Sequence, residues 1–306
     1  MSTFKPLLGY RKNPVIEELR FPLWASPKYD GIRGLVDLRH RLLSRKLKPI
    51  PAHVLQKRFS ISLFAGIEGE LIYGDPVAPD VMQMTTSAVM SVDKDDLASA
   101  VKLYVFDCFT EHRLPYWGRY QRLSRLAEKA RRAGIILVEQ TEIRTIDDLR
   151  DYEERIVNRG FEGVMLRDPE APYKFGRSTL REQYLLKWKR FEDGEAVILG
   201  VEEGQRNENE QQLDERGYSK RSKKSEGMVP NGTLGHLIVR DRKNFSGLDQ
   251  FHIGSGPGLT HELRAELWRD RATLKGQLVK YRFQRIGVKD APRFPRFMGL
   301  RDRRDV

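Results

Sequence analysis

Hydrophobic and polar positions follow two regimes along the chain. Between residues 26 and 110, short apolar runs alternate with Gly, Asp and Pro punctuation: "GLVDL", "GIEGELIYGD" and "KLYVFDCFT", with the basic "RHRLLSRKLKPIP" after the first. Such runs predict strands and turns. The period then lengthens. Over about 118–133, Tyr120, Leu123, Leu126 and Ala127 share one face at helical spacing, and Gly134 stops the run. A second helix is predicted over about 146–159, with Thr145 as N-cap and Asp147 and Asp148 in the positive first turn. "FEGVMLRD" and "YLLKWKRF" read as strands again, so residues 1–190 are expected to form one mixed α+β domain. From residue 191 the segments "AVILGV", "TLGHLIV", "FHIG" and "LVKYRFQRI", with one short helix at "LRAELWRDRA", predict an all-β OB-fold domain over 191–306. Inside it, residues 202–232 are polar and predict a long solvated loop, a length uncommon in a compact domain unless it binds something or is disordered. Its basic part holds Arg216, Lys220, Arg221, Lys223 and Lys224, which suits a mobile loop that orders on phosphate.

Charge narrows the class of partner. The 306 residues carry a formal net charge of +12 and a pI near 9.7, which points to a polyanion: nucleic acid first, an anionic membrane surface second. No amphipathic basic helix with an aromatic face supports the membrane surface. No apolar run reaches the roughly 18 residues that span a bilayer, and the N-terminus lacks the apolar core of a secretory signal. The single cysteine, Cys108, excludes a disulfide within the chain and any zinc site built from several cysteines. Its apolar neighbours predict a buried, inert thiol, and the usage fits a reducing, intracellular setting.

Several polar residues interrupt or flank the apolar strand segments, where a structural role alone leaves them awkward: Lys28, Asp30 and Arg33 in "KYDGIR", Ser44-Arg45, Glu70, Phe106-Asp107, Glu162, Lys187 and Lys189. Asp30-Gly31 alone reads as a hairpin turn with a solvated lysine beside it. Lys187 and Lys189 point to one strand face and call for anions, whereas Trp188 points to the core. Glu70 and Glu162 could hold a metal or ribose hydroxyls.

In order, "KYDGIR", "SRKLKP", "GELIYG", "YVFD", "EGVMLR", "LLKWKR" and "PRFPRFMGLRDRRD" resemble the seven nucleotidyl-transfer motifs of the covalent nucleotidyltransferases, the superfamily of ATP-dependent DNA ligases, RNA ligases and mRNA capping enzymes. The size and the "TTSAVM" segment at 85–90 are most similar to minimal two-domain DNA ligases of viral and bacteriophage type. The resemblance implies a nucleotidyltransferase (adenylation) domain followed by the OB-fold, and nick sealing through lysyl-AMP and DNA-adenylate in repair and replication. It implies Lys28 as the nucleophile on the α-phosphate of ATP, Asp30 shaping the site, and Arg33, Lys187 and Lys189 holding phosphate charge. Phe106 would stack on adenine and Glu162 would bind Mg²⁺, with Mn²⁺ as an alternative ion. Glu70 would contact the ribose or a second metal, and Arg45 the AMP phosphate or the 5′-phosphate of the nick. Arg293 and Arg301 match the last motif, which in ligases orients pyrophosphate. The acid of that motif is either Asp302, followed by Arg303, or Asp305. Residues 203–231 would form a DNA-clamping latch with Arg216, Lys220, Arg221, Lys223 and Lys224 on phosphate, around nicked duplex bound by a monomer. Thr85, Thr86 and Ser87 would face DNA, or lie in a buried helix or strand. Neither NAD nor zinc is implied: NAD-dependent ligases need a four-cysteine zinc site and a further N-terminal domain. A capping guanylyltransferase fits "SRKLKP", "TTSAVM" and the latch less well. An RNA ligase often lacks the last motif, and a non-catalytic DNA-binding protein would not keep Lys28, Glu162, Lys187 and Lys189 together.

Overall fold

The period-two pattern of the first 190 residues builds two sheets rather than one. In the computed structural model, which describes residues 4–213, 219–222, 225–242, 250–284 and 292–301, the chain divides into units Met1–Arg190 and Phe191–Val306. The first unit contains β1 (Leu23–Pro27), β2 (Ile32–Val36), β3 (Leu42–Ser44), β4 (Ile67–Tyr73), β5 (Val101–Cys108), β6 (Ile135–Leu137), β7 (Thr141–Ile143), β8 (Val164–Arg167) and β9 (Leu185–Trp188). They form one sheet of order β3-β2-β4-β5-β6 and another of order β7-β1-β8-β9. The helices are α1 (His53–Phe59), α2 (Val81–Val89), α3 (Asp95–Ala100), α4 (Tyr116–Ala130) and α5 (Ile146–Asn158).

The helix α4 buries Leu123 and Ala127 against the five-stranded sheet, in one core with Leu71, Leu103 and Val105. Gly134, at φ 81°, ends the short 3-10 turn that follows it. On the other sheet, α5 buries Leu149, Tyr152 and Ile156 against Leu23, Ala25, Val164, Leu166 and Leu186. Its start is a capping box: Thr145 Oγ1 accepts from Asp148 N, and Asp148 accepts from Thr145 N. Strand alternation then fixes what lies on the opposite faces. With Val164, Leu166, Leu186 and Trp188 turned to α5, Met165, Arg167, Leu185 and Lys187 line a cavity on the other side.

Strands and turns were expected throughout residues 26–110, but α1, α2 and α3 interrupt them. These helices have 7, 9 and 6 residues, too short for a helical period to stand out. In α2 the buried set is Val81, Thr85, Ala88 and Val89, so a threonine occupies a core position. Asp30-Gly31 also departs from the hairpin reading. The strands it joins do not pair with each other: β1 pairs with β7 and β8, and β2 with β3 and β4.

The second unit contains β10 (Glu192–Asn207), β11 (Gln211–Leu213), β12 (Ser219–Arg221), β13 (Met228–Asp241), β14 (Phe251–Ile253), β15 (Leu278–Gln284) and β16 (Arg293–Arg301), with α6 (His261–Arg269) and α7 (Arg271–Leu274). The sheet order is β14-β13-β10-β15-β16. A bridge between Ser255 and Arg296, with Phe297 N donating to Ser255 O at 2.7 Å, joins the chain just after β14 to β16. The sheet thereby closes on itself as an OB-like barrel, filled by Leu237, Val239, Ile253, Val279 and Tyr281 and plugged by Leu267 of α6. The polar stretch expected to be a loop is in part a hairpin. The β10–β13 ladder runs on to Asn207 opposite Met228, and β11 pairs with β12 beyond it. On the β10–β13 part, Gln205, Arg206, Val229, Pro230 and Asn231 are exposed on both faces, so no apolar alternation marks it.

A buried charge cluster ties the two sheets of the first unit together. Asp107 at the end of β5 accepts from Arg119 Nε at 2.8 Å and from Arg167 Nη1, on β8, at 2.6 Å. All three side chains are buried, and Arg119 Nη1 also donates to Ala171 O at 3.1 Å. Removing one member of such a cluster leaves uncompensated charge in a dry site. Asp107→Ala should therefore lower unfolding stability by about 3–5 kcal/mol, read from urea midpoints; an unchanged midpoint would show that the cluster does not hold the sheets together.

Candidate active site

The link from β1 to β2 passes from one sheet to the other and carries Lys28. Lys28 N donates to Gly163 O at 2.8 Å, which seats the lysine beside the turn that precedes β8. Gly163 is at φ 151°, and a Cβ there would meet Trp188 O at 2.5 Å. A Cβ on Gly31 would meet Leu71 O at 2.3 Å. Glycine is required at both positions because backbone comes that close.

The seat brings Lys28 Nζ onto Glu162 Oε2, and Lys189 Nζ onto Glu162 Oε1. Lys189 lies one residue beyond β9, its backbone fixed by Asn13, whose Oδ1 accepts from Lys189 N at 3.1 Å. Burial alone would push the Glu162 carboxyl up; Lys28 and Lys189 outweigh it and hold the group below the usual carboxylate range. Lys187, on the cavity face of β9, has its ammonium held below the ordinary value by burial, with Lys189, Lys28 and Arg177 adding to the effect.

Lys28 and Lys187 open into a cavity of about 500 Å³ between the two sheets of this unit. Among the described residues its lining includes seven cationic side chains (Lys28, Arg33, Arg45, Lys46, Arg167, Arg177, Lys187) and a single carboxylate, Glu70. Met82, Phe106, Val138 and Met165 supply apolar surface. Phe106 falls at a register shift: Glu68 pairs with Asp107 and Gly69 with Val105, leaving Phe106 as the extra residue. Such a bulge re-aims a side chain. Arg33 Cζ lies 4.5 Å from the centroid of the Phe106 ring.

Glu70 sits beside this cationic wall with its carboxyl pushed up to about 7. Burial is the main cause; Asp30 and Glu162 add to it, while Arg33 and Lys28 oppose it. Arg33 is less available than expected, because buried Glu68 holds its Nη2 at 2.8 Å. Tyr173 Oη donates to the other Glu68 oxygen at 3.0 Å and accepts from Leu7 N at 3.0 Å. Glu68, Tyr173 and Arg177 escaped the sequence reading, whereas Lys46 and Arg167 stood within "SRKLKP" and "EGVMLR" without a role of their own. Glu68 stands two residues before Glu70 and so shares its face, a signal that was present; the others come together only through tertiary packing.

The structure thus brings Lys28, Asp30, Arg33, Arg45, Glu70, Phe106, Glu162, Lys187 and Lys189 into or beside one cavity. Other expected residues lie elsewhere. Thr85 is fully buried in α2, its hydroxyl accepting from Tyr73 N at 3.0 Å, which corrects the expectation that it faces DNA in favour of the alternative, a buried helix. Thr86 is exposed and donates to Met82 O at 2.7 Å, and Ser87 Oγ is 2.6 Å from Lys94 Nζ. In the second unit, Arg301 Nε donates to Glu195 at 3.0 Å, and exposed Arg221 donates to Asn207 O at 3.1 Å. Arg216, Lys223, Lys224, Asp302, Arg303 and Asp305 lie outside the described residues, as do the side chains of Lys220 and Arg293.

Comparison with known proteins places this geometry. A family profile described as "ATP dependent DNA ligase domain" matches residues 10–189, and one described as "DNA ligase OB-like domain" matches 227–301. The solved structure of Chlorella virus DNA ligase-adenylate is 31% identical with a TM-score of 0.55, over 98% of this chain and 99% of that one. A DNA ligase of Haemophilus influenzae is 26% identical over 276 residues, 88% of this chain and 83% of the relative. A DNA ligase of African swine fever virus (strain Badajoz 1971 Vero-adapted) is 27% identical over 112 residues, 36% of this chain, and the match spans only 27% of that relative's length. The first profile covers more than half of the chain and contains the lysine–glutamate–lysine cluster; the chain belongs to the ATP-dependent DNA ligase family.

Proposed function

We propose that this chain seals nicks in duplex DNA with ATP, joining a 5′-phosphate to a 3′-hydroxyl through a lysyl-AMP intermediate, in an intracellular setting. One observation carries the reading: Lys28 opens into a cationic cavity with an apolar portion, while its amine is held by a carboxylate that a second lysine also holds. The cavity fits a nucleoside triphosphate. Phe106, Met82, Val138 and Met165 offer surface to a base, and Lys187, Arg45, Lys46 and Arg177 offer charge to phosphates. Arg33, in the same wall, keeps its buried Nε without a hydrogen-bond partner among the described residues. The two carboxylates fit a hard divalent cation such as Mg²⁺. Glu70 is destabilised as an anion by burial, Asp30 and Glu162, and a cation beside it relieves that strain. Glu162 and Glu70 would hold the ion, which when bound supplies neutralisation of triphosphate charge.

The chain's own residues then divide the work. Glu162 directs the Lys28 amine and is the carboxylate within reach of its proton. The neutral amine forms a bond to the α-phosphorus as the bond to the pyrophosphate oxygen breaks. Lys187 and Lys189 hold the charge that develops on the phosphoryl oxygens. AMP next passes from Lys28 to the 5′-phosphate of the nick, with Arg45 at the exposed rim of the cavity. Last, the 3′-hydroxyl displaces AMP. The hairpin at the end of β10 and β13 contributes phosphate contacts, with Arg206 and Arg221 exposed on its described part.

The test is a chase. Protein loaded with ATP labelled at the α-phosphate is freed of nucleotide and mixed with 5′-phosphorylated nicked duplex and Mg²⁺. Label should leave the protein while the strands join, and Lys28→Ala should not load. Loading from GTP alone would favour a capping enzyme, and loading followed by indifference to nicked DNA would shift attention to RNA ends.

Glu70 sets a pH dependence. Its carboxyl is protonated below about pH 7 and ionised above it, and only the ionised form holds a cation. Loading should rise through that range more steeply in the wild type than in Glu70→Gln, in which the Glu70 limb is absent. Coincident pH profiles would remove Glu70 from the ion site. Replacing residues 208–227 by a short turn should leave loading intact but weaken nick binding, with a shallower dependence on salt. Equal nick affinity at low salt for both proteins would refute a clamping role.

A further inference from the structure

The outer face of the second unit carries a cluster that the ligase chemistry does not use. Glu202 on β10 is the cross-strand partner of His236 on β13. His252 on β14 pairs with Ile238, two residues further along β13 and so on the face of His236. Three adjoining strands each contribute one side chain to one patch, on the face opposite the barrel core of Leu237, Val239 and Ile253. His236 Nε2 lies 2.7 Å from Glu202 Oε2, and the two imidazoles stack with centroids 5.1 Å apart and 18° between planes. One ligand atom from each residue lies within 4.8 Å of the other two.

We propose that Glu202, His236 and His252 bind one divalent transition-metal ion of the zinc class. Two imidazole nitrogens and one carboxylate oxygen favour zinc, nickel or copper over magnesium or calcium, which prefer oxygen alone. Around a tetrahedral zinc, neighbouring ligand atoms are about 3.3–3.5 Å apart. Glu202 and His252 are exposed and His236 is half-buried, which leaves the side chains free to rotate towards an ion. The backbone beneath them is well fixed. The ladder shifts register between Glu202 and Glu203, a bulge of the kind that re-aims a side chain. Gly235, just before His236, lies so close to β10 that a Cβ would meet Glu203 O at 2.8 Å. Arg264 of α6 donates to Gly235 O at 2.9 Å and to Gly254 O at 2.6 Å, tying β13 beside His236 to the chain two residues after His252. A half-exposed Glu–His contact contributes little stability by itself, so it does not account for two imidazoles stacked across adjoining strands. The expectation of no zinc rested on absent cysteines and on the NAD-dependent ligases; this ligand set needs no thiol. Three protein ligands leave a fourth position open to water or to an anion's oxygen.

The probe is Zn²⁺ itself, titrated calorimetrically into metal-stripped, tag-free protein of all 306 residues in excess Mg²⁺, so that the carboxylates around Lys28 are already occupied. One Zn²⁺ per chain should bind at this patch. His236→Ala and His252→Ala should each weaken that binding by more than the roughly tenfold that loss of an outer contact costs. His261→Ala, on α6, should leave it unchanged. Co²⁺ in place of Zn²⁺ should give a visible d–d band that both histidine variants lose. Melting curves without metal check that each variant folds, and if an alanine variant does not, His252→Gln and Glu202→Gln carry the same readout. Absence of Zn²⁺ binding, or binding that folded variants retain unchanged, would overturn the site.

Discussion

A carboxylate that has left water stays ionised only where charge or hydrogen bonds replace its hydration, and at Glu162 that replacement is a pair of ammonium groups, one on each oxygen. The requirement draws together three segments distant in sequence. In the sheet order β7-β1-β8-β9, strand β8 runs antiparallel to both neighbours. The C-terminal ends of β1 and β9 therefore flank the N-terminal end of β8. Lys28 follows β1, Lys189 follows β9, and Glu162 precedes β8, so the antiparallel topology alone makes them neighbours. Gly163 is a consequence of the same convergence, since it abuts Trp188 of β9, whereas Gly31 abuts Leu71 of β4 where the chain crosses to the other sheet. At Gly163 and Gly31 the chain comes nearer to its neighbours than any Cβ would allow.

The cationic wall of the cavity would be self-repelling without the carboxylates behind it. Arg33 rests on Glu68, and Arg167 on Asp107, both acids fully buried. These pairs hold their guanidinium groups in fixed orientations, so the wall keeps its charge without the side chains collapsing onto one another. Glu68 is in turn braced by Tyr173, and Tyr173 by the amide of Leu7, which lies one residue before the cavity-lining Leu8. Two of the wall's guanidinium groups are thus positioned by acids that do not line the cavity. Glu70 is the exception: it stands in the wall itself and is destabilised as an anion there.

Residues with a strong local signal were legible in the sequence. The helix α5 was marked by Thr145, Asp147 and Asp148, and α4 by its apolar face and Gly134. The facing of Lys187 and Trp188 followed from strand period alone and holds in the structure. What failed were short elements and positions whose residue type misstates their burial. Thr85 is polar and wholly inside, so α2 showed no clear apolar stripe. Asp30-Gly31 is a turn dipeptide used as a crossing between sheets, because the partners of β1 and β2 lie elsewhere in the chain. The site was readable as motifs, and Glu68 two residues before Glu70 carried a local signal, while Arg177 and Tyr173 belong to it through contacts no local pattern records. Cys108 followed its neighbours: it is buried, and burial with nearby Asp107 pushes its thiol up to about 11.

The same reasoning explains why the hairpin of the second unit was read as a loop. Inside the barrel, β10 and β13 alternate buried and exposed residues, as Ala196 and Ile198 show. Past Glu203 the ladder leaves the core, both faces meet water, and alternation has no further cause. A two-stranded ribbon without an apolar face is marginal by itself. Here its described part relies on polar ties: Asn207 Nδ2 donates to Ser222 O at 2.8 Å, Glu208 N to Gly227 O at 2.7 Å, and Arg221 to Asn207 O and Asn209 O. Polar ties of this kind are exchanged with water, or with phosphate oxygens, at little net cost. Cationic groups serving as such ties, Arg221 among them, can therefore pass to an anion without the barrel's core being disturbed.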